Sequence, residues 1–293
     1  MTRRLVRFDW ALKKLLRNKA NFEILEGFFS ELMHRDIKIA HLLESESNKQ
    51  TADDKFNRVD LLAEADGGEL LLIELQVEGQ YDYFHRMLYG ASKLITDQMS
   101  TGFEYRQVRK VVSINIVYFD LGQGEDYVYR GITEFKGIHK NDLLHLSATQ
   151  KRNLPDMARV ADIYPEYYIL KVNEFDDHAH DTLDEWVYFL KNSEIRQEFS
   201  ARGLRKAAEE LDLMKLPEDE RESYERYLED RRSAESSIRT SWLEGKAEGR
   251  NEGRLEGKME GKFEVARNLK AAGVAVETIM QATGLSREEV ENI

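Results

Sequence analysis

Cysteine is absent from the 293 residues, which excludes a disulfide framework, thiolate catalysis and Cys-ligated zinc or iron–sulfur sites, and suits a reducing compartment. Any metal would have to sit on oxygen or imidazole ligands. No uninterrupted apolar run approaches the ~18 residues of a membrane span. A mean hydropathy of −0.60 with 33% charged residues fits a soluble globular protein. The basic start, MTRRLVRFDWALKKLLRNK, lacks the apolar stretch and small-residue cleavage site of a secretory signal, so the expected location is the cytoplasm, away from membranes. A Walker loop, a Gly-x-Ser-x-Gly elbow and a dinucleotide fingerprint are missing too.

What remains is a chain long enough for about two domains and a substantial core. Its formal charge is −12 and its isoelectric point about 5.2, which argues against non-specific coating of nucleic acid. The charge is unevenly placed, however. Residues 1–19 carry Arg3, Arg4, Arg7, Lys13, Lys14, Arg17 and Lys19 against the single acid Asp9. A basic end on an acidic protein can still meet phosphate, and a solvated helix face explains the same residues equally well.

The spacing of Leu5, Phe8, Ala11, Leu12, Leu15 and Leu16 predicts a first helix, and that of Phe22, Leu25, Phe28, Phe29, Leu32 and Met33 a second, with Asn21 at its N-cap. A strand around 59–63, the turn Asp66-Gly67-Gly68 and a strand over 70–77 form a hairpin signal. A helix over 84–99 follows, then strands over 111–119, 127–135 and 167–175. This alternation describes an α/β or α+β domain. Strand signals stop near Thr182. The rest of 180–243 reads as helical, packed through Trp186, Phe189, Leu190, Leu211 and Leu213, with a highly charged stretch from Pro217 to Glu235. The expected division is 1–178 for the α/β domain, 179–243 helical, 244–263 a repeat forming a helix or linker, and 264–293 a small helical segment.

The repeat is Glu-Gly-Lys/Arg-x at period four, with Gly245, Gly249, Gly253, Gly257 and Gly261. Each glycine costs a helix about 1 kcal/mol, and the i,i+4 neighbours are like-charged. A period of four drifts slowly against 3.6, so the glycines trace a shallow spiral where another backbone could come close. A homo-oligomer or partner helix through this tail is one reading and a flexible linker the other. Beyond it, Val265–Ala272, a Gly273 C-cap, Val276–Thr283 and a Ser286/Glu289 capping box suggest short helices like a helix-turn-helix.

The chemistry concentrates in Val59-Asp60-Leu61-Leu62 and Ile73-Glu74-Leu75-Gln76. Side chains alternate along a strand, so Leu70, Leu72, Glu74 and Gln76 share one face. If the turn is a three-residue loop with glycine left-handed, Leu62 pairs with Leu72 and Asp60 falls opposite Glu74; a two-residue loop would oppose Asp60 to Ile73. Two carboxylates about 5 Å apart are destabilising unless neutralised. A divalent cation on hard oxygen ligands would do so, completed by water and a substrate phosphate, as at a Mg²⁺ site. Gln76 could hydrogen-bond the attacking water or a phosphate oxygen. Two exposed acids on a hairpin end are the simpler alternative, against which stands the interruption of an apolar strand by Glu74 and Gln76. His178-Ala-His180 in the Asp-rich loop 176–181 could bind a transition metal or be plain loop polarity. Tyr81, Tyr83 and Phe84 with Arg86 could contact nucleic acid or pack the start of a helix.

Asp60 followed by Glu74-x-Gln76 resembles the PD-(D/E)XK nuclease signature in its E-x-Q variant. Together with Phe8-Asp9-Trp10-Ala11-Leu12-Lys13, Arg86, Tyr89, Gln98, Gly102, Tyr105 and the Glu-Gly-Lys repeat, the chain resembles the Rpn family of recombination-promoting nucleases and transposase-like proteins over most of its length. The resemblance implies a restriction-endonuclease-like core, a mixed sheet flanked by helices, with an α-helical C-terminal extension. It further implies Mg²⁺-dependent or other divalent-cation-dependent DNA cleavage associated with recombination and mobile elements. In that frame Asp60 and Glu74 hold the metal, and Gln76 stands where a lysine is usual. A neutral amide can orient water but adds no charge and cannot act as a base. Asp9, Arg86 and Gln98 are accessory candidates, Asp9 also reading as a helix-start acid.

Three functions compete on the sequence. A metal-dependent DNA endonuclease leads, with DNA held by the basic first helix and the C-terminal helices. A nuclease-fold interaction protein with weak or no cleavage is favoured by the acidic balance and the missing lysine. A glycosidase using the carboxylate pair would need no metal and survive chelation.

Overall fold

The computed structural model describes residues 5–8, 10–11, 21–43, 61–99, 104–154, 157–212 and 215–293. Asp9, Leu12, Leu15, Leu16, Val59, Asp60, Gly102 and Leu213 lie outside them. The chain divides into two compact units, Met1–Arg221 and Glu222–Ile293.

The first unit is built on a six-stranded mixed sheet of order β1-β2-β3-β4-β6-β5. Its strands are β1 (Ile39–Leu43), β2 (Leu61–Ala65), β3 (Leu70–Gln76), β4 (Val111–Val117), β5 (Val128–Gly131) and β6 (Glu166–Lys171). β1 pairs with β2 and β2 with β3 antiparallel, β3, β4 and β6 are parallel, and β5 closes the far edge antiparallel to β6. The central strand β4, VVSINIV, is buried at all seven positions, as expected of a strand covered on both faces.

Helix α1 (Phe22–Met33) precedes the sheet. Asn21 does occupy its N-cap position, yet its side chain makes no capping hydrogen bond. Helix α2 (Tyr83–Asp97) connects β3 to its parallel neighbour β4, the long crossover that parallel pairing demands. It covers one face of the sheet: Ala91 packs on Leu70, Leu72 and Val111, while Tyr83 and Met87 pack on Val117 and Leu121. Short helix α3 (Ala148–Asn153) lies between β5 and β6, and α4 (Thr182–Asn192) and α5 (Leu204–Glu210) follow the last strand.

Residues after 178 are integral to this unit. Trp186 and Phe189 of α4 form edge and tilted aromatic contacts with Phe8 and Phe28, and all four rings are essentially buried. Gly27 is where α1 meets the backbone before α5: a Cβ there would stand 2.2 Å from the carbonyl oxygen of Arg202. That oxygen also accepts a hydrogen bond from Trp186 Nε1 at 3.1 Å. Leu5, expected in the first helix, instead forms an antiparallel bridge with Asp212, and the Val6 amide donates to the Leu211 carbonyl at 2.9 Å. This pairing claims the backbone groups that a helix at that point would use.

In the second unit the Glu-Gly-Lys/Arg-x repeat is helical throughout, within α6 (Glu218–Ala271). Gly273 ends that helix at φ +78, followed by α7 (Val276–Thr283) and α8 (Arg287–Glu291). The Ser286/Glu289 capping box is present, the Glu289 amide donating to Ser286 Oγ at 3.2 Å and the Ser286 amide to Glu289 Oε2 at 2.7 Å. Ala266, Ile279, Leu285 and Val290 make the small core beneath these caps. Among the described residues, no helix is long and apolar enough to cross a membrane.

Candidate active site

The hairpin sets the site. Gly68 takes φ +80, the left-handed conformation that glycine adopts without steric cost. Its amide donates to the Ala65 carbonyl at 2.8 Å, and the Ala65 amide to the Glu69 carbonyl at 2.9 Å. The loop is therefore the three-residue form. The ladder continues through Ala63↔Leu71 and Leu62↔Leu72 to Leu61↔Ile73, the register that three-residue loop requires.

Alternation then directs Leu70, Leu72, Glu74 and Gln76 toward α2. Leu70 and Leu72 are absorbed into the core with Ala91. Glu74, one step nearer the strand end, is 6% exposed, and its Oε2 lies 3.3 Å from Nε of Arg86, an ion pair from strand to helix. The next turn of α2 presents Gly90, where a Cβ would come within 3.7 Å of Glu74 Oε1. Arg86 Nη1 also donates to Gln80 Oε1 at 3.3 Å. Gln76 is half-buried, and its Nε2 donates to the Glu78 carbonyl at 3.2 Å.

Across the sheet, Glu74 is in register with Asn115 of β4. Asn115 is fully buried; its Nδ2 donates to Ser113 Oγ at 3.0 Å and to the Tyr168 carbonyl at 3.2 Å, and its Oδ1 accepts from Tyr83 Oη at 3.3 Å. Burying amide and hydroxyl groups costs free energy unless they are hydrogen-bonded, and here each has a partner. A polar seam thus runs under α2 from Gln76 and Glu74 to Asn115, Ser113 and Tyr83. Composition pointed to Glu74 and Gln76 but not to Asn115, although Ser113 and Asn115 interrupt the β-branched run of β4 in the same manner.

The other candidates fall elsewhere. Gln98 closes the opposite end of α2, accepting from the Arg109 amide at 3.1 Å and donating to the Leu94 carbonyl at 3.2 Å; it lies twelve positions beyond Arg86, about 18 Å along the helix. Tyr83 is buried packing, whereas Tyr81 and Phe84 are exposed. The acids of loop 176–181 and of the α4 start are engaged structurally: Asp181 caps α4, Asp184 accepts from Tyr127 and from the His180 amide, and Asp177 pairs with Lys191. Among the described residues, no group of three or more His, Asp or Glu side chains is arranged to hold a metal ion.

A second charged cluster, which the sequence reading did not raise, lies at the start of β6. Glu166 is 4% exposed and accepts from Lys110 at 2.6 Å, Arg130 at 2.7 Å and Tyr168 Oη at 2.7 Å. These four residues, with Arg35, Glu69, Arg159 and Asp162, line a cavity of about 200 Å³. Burial alone would raise the Glu166 carboxyl, but the three donors outweigh it and bring it down to about 2. A folded pKa depressed below the ordinary 4.5 gives stability that is present above the unfolded value and lost as pH falls through the folded one. Glu166→Gln is therefore expected to lower stability at pH 7 by on the order of 3 kcal/mol and to flatten the acid limb between about pH 4.5 and 2, read by denaturant melts across pH. An unchanged acid limb would show that this cluster does not anchor the sheet edge.

A mixed sheet flanked by helices, with an acid-bearing hairpin whose last polar residues face the crossover helix, defines a nuclease-type α/β core. The chain belongs to the PD-(D/E)XK nuclease family transposases, whose family model matches residues 6–241. Residues 259–293 match the C-terminal HTH domain of the Rpn/YhgA-like nuclease family. No curated protein and no solved structure matches the chain.

Proposed function

We propose that this protein is a divalent-cation-dependent DNA endonuclease that hydrolyses backbone phosphodiesters, with Mg²⁺ held by Asp60 and Glu74, and that its work lies in recombination or the movement of mobile elements. The observation that carries this reading is the hairpin register. Leu61 stands opposite Ile73, and this register supports the reading in which Asp60, the next residue in the sequence and outside the described residues, would oppose the buried Glu74.

The donor set fits a hard cation. Glu74 offers carboxylate oxygens and the half-buried Gln76 an amide oxygen on the same strand face, so oxygen rather than sulfur predominates. When bound, the cation supplies Lewis-acid stabilisation of phosphoryl charge and lowers the pKa of water. Asp60 and Glu74 contribute the two negative charges that hold it. Gln76 orients water or a phosphate oxygen through its amide but cannot take a proton. Arg86 positions the Glu74 carboxylate and supplies the permanent positive charge that Gln76 lacks. Hydrolysis adds water across one P–O ester bond, with the leaving oxygen taking a proton. The HTH match and the basic start of the chain support DNA as the polymer being held.

The test is cleavage of supercoiled plasmid by the full-length protein with Mg²⁺, with EDTA, and as Asp60→Ala. Nicking that requires Mg²⁺ and disappears in Asp60→Ala is expected. Folded protein that leaves DNA intact with Mg²⁺ would overturn the nuclease and leave a nuclease-fold interaction protein, the reading that Gln76 in place of lysine favours.

A further inference from the structure

The cavity beside Glu166 lies on the face of the sheet turned away from α2. Residues paired across parallel strands share a face, so Glu166 and Tyr168 of β6 go with Val112 and Ile114 of β4, whereas Glu74 goes with Asn115 on the α2 side. Glu74, Gln76 and Arg86 take no part in its lining. Its walls converge from several places in the chain: Arg35 just past α1, Glu69 before β3, Lys110 before β4, Arg130 of β5, and Arg159 and Asp162 ahead of β6.

The charges in this cavity are sorted by depth. The side chains of Glu166, Glu69 and Asp162 are 5%, 20% and 21% exposed, while the arginines paired with them, Arg130, Arg35 and Arg159, are 49%, 45% and 56% exposed. Carboxylates therefore make the floor and guanidiniums the rim. With Lys110, four cations face three carboxylates, and a molecule arriving from solvent meets the cations first. The floor also fixes the rim: Glu166 takes Arg130 through Nε and Glu69 takes Arg35 through Nη2. A guanidinium has five N–H donors, so each keeps donors beyond its carboxylate. Asp162 holds Arg159 through Nε and Nη2 at 3.3 and 3.0 Å.

We infer that this cavity is a binding site for a phosphate monoester, held by Arg35, Arg130 and Arg159 with Lys110 behind them. Arginines already oriented by carboxylates lose little freedom on binding, and the planar fork matches two oxygens of a phosphate. A carboxylate ligand offers two oxygens and one charge. A phosphate monoester offers three oxygens and about −1.5 to −2 charge at pH 7, enough to engage arginines from three separate elements at once. The volume of about 200 Å³ is below the ~300–1,000 Å³ of sites that enclose a drug-sized ligand, so the phosphoryl group enters and the rest of the molecule stays outside. The inference is independent of the nuclease reading. Two sources share this chemistry: a free mononucleotide, and the 5′-phosphate end of a DNA strand.

The experiment is calorimetric titration of the full-length protein in EDTA, with thymidine 5′-monophosphate as the probe and thymidine as its phosphate-free control. The monophosphate is expected to bind one site per chain and thymidine not to bind. Arg130→Met and Arg159→Met are each expected to weaken the monophosphate at least tenfold, Arg130→Lys by less, and Glu74→Gln not at all. Arg130 also steadies the buried Glu166, so thermal melts accompany each variant. Arg35→Met and Arg159→Met, which leave Glu166 with all its donors, carry the test if the Arg130 variants unfold. A short oligonucleotide with and without a 5′-phosphate separates the sources. Binding at least as tight as the monophosphate, and only when phosphorylated, makes a DNA end the ligand; a monophosphate that binds while the phosphorylated strand does not makes it a free nucleotide. Either result supports the site. A monophosphate bound no better than thymidine, binding that survives in the folded rim variants, or binding abolished by Glu74→Gln would overturn it.

Discussion

Glu74→Gln is expected to lower the rate of Mg²⁺-dependent DNA cleavage by at least about 10³-fold while leaving the protein folded. The substitution keeps the shape of the side chain and removes its charge. A metal centre is worth several kcal/mol of transition-state stabilisation, and each 1.36 kcal/mol is tenfold in rate. In the proposed site, losing one of two carboxylates would therefore remove most of what the cation contributes. The position also explains why the fold survives: Glu74 sits at the end of β3, where the strand pattern passes from buried to half-buried, and Leu70 and Leu72 carry the packing against α2. Arg86, 3.3 Å from Glu74, supplies a graded companion. Arg86→Lys is expected to retain more activity than Arg86→Met, because a cation remains beside the carboxylate even without the planar fork. Single-turnover cleavage of a defined duplex, with circular dichroism of each variant, checks both. Full activity in Glu74→Gln would remove this residue from the mechanism.

Gly27→Ala is expected to destabilise the first unit by about 2 kcal/mol or more, lowering Tm by roughly 4–8 °C. Two effects oppose each other. Alanine in a helix interior gains about 1 kcal/mol over glycine, but the new Cβ would stand 2.2 Å from the Arg202 carbonyl oxygen and 2.6 Å from its carbon. Those are backbone atoms that cannot rotate away, and the same oxygen holds Trp186 in the aromatic cluster. Overpacking wins. Gly253→Ala is the matched control, since its Cβ would meet nothing within 4 Å and only the helix-forming gain remains. Thermal melts of the two variants should move in opposite directions. A Gly27→Ala protein melting at or above wild type would mean that α1 and the 202–203 backbone do not meet this closely.

Much of the hairpin that carries the proposed site was legible because its signals were local. The Asp66-Gly67-Gly68 turn chemistry and the alternation of β3 narrowed the hairpin to a three-residue or a two-residue loop, and the observed ladder, Leu62↔Leu72, selects the three-residue form. The α2 stripe and the Gly273 and Ser286 caps were equally local. Three features were not. β1, the segment Ile39–Leu43, is five residues with a half-exposed pattern; pairing with β2 makes it a strand, and no window of its own sequence does. Trp186 and Phe189 read as helix-face residues, but that they pack on Phe8 and Phe28 depends on the topology returning α4 to α1. The Glu166 cluster gathers Lys110, Arg130 and Tyr168 from three strands or their ends, and nothing in sequence spacing brings a lysine and an arginine 56 and 36 residues away onto one carboxylate.

The most direct test of the central claim, a single cation shared by Asp60 and Glu74, is a Mn²⁺ titration of the full-length protein followed by electron paramagnetic resonance. One site per chain is expected in the wild type, lost or weakened at least tenfold in both Asp60→Asn and Glu74→Gln and unchanged in Gln98→Ala. Undiminished binding in Asp60→Asn would contradict the shared-cation site.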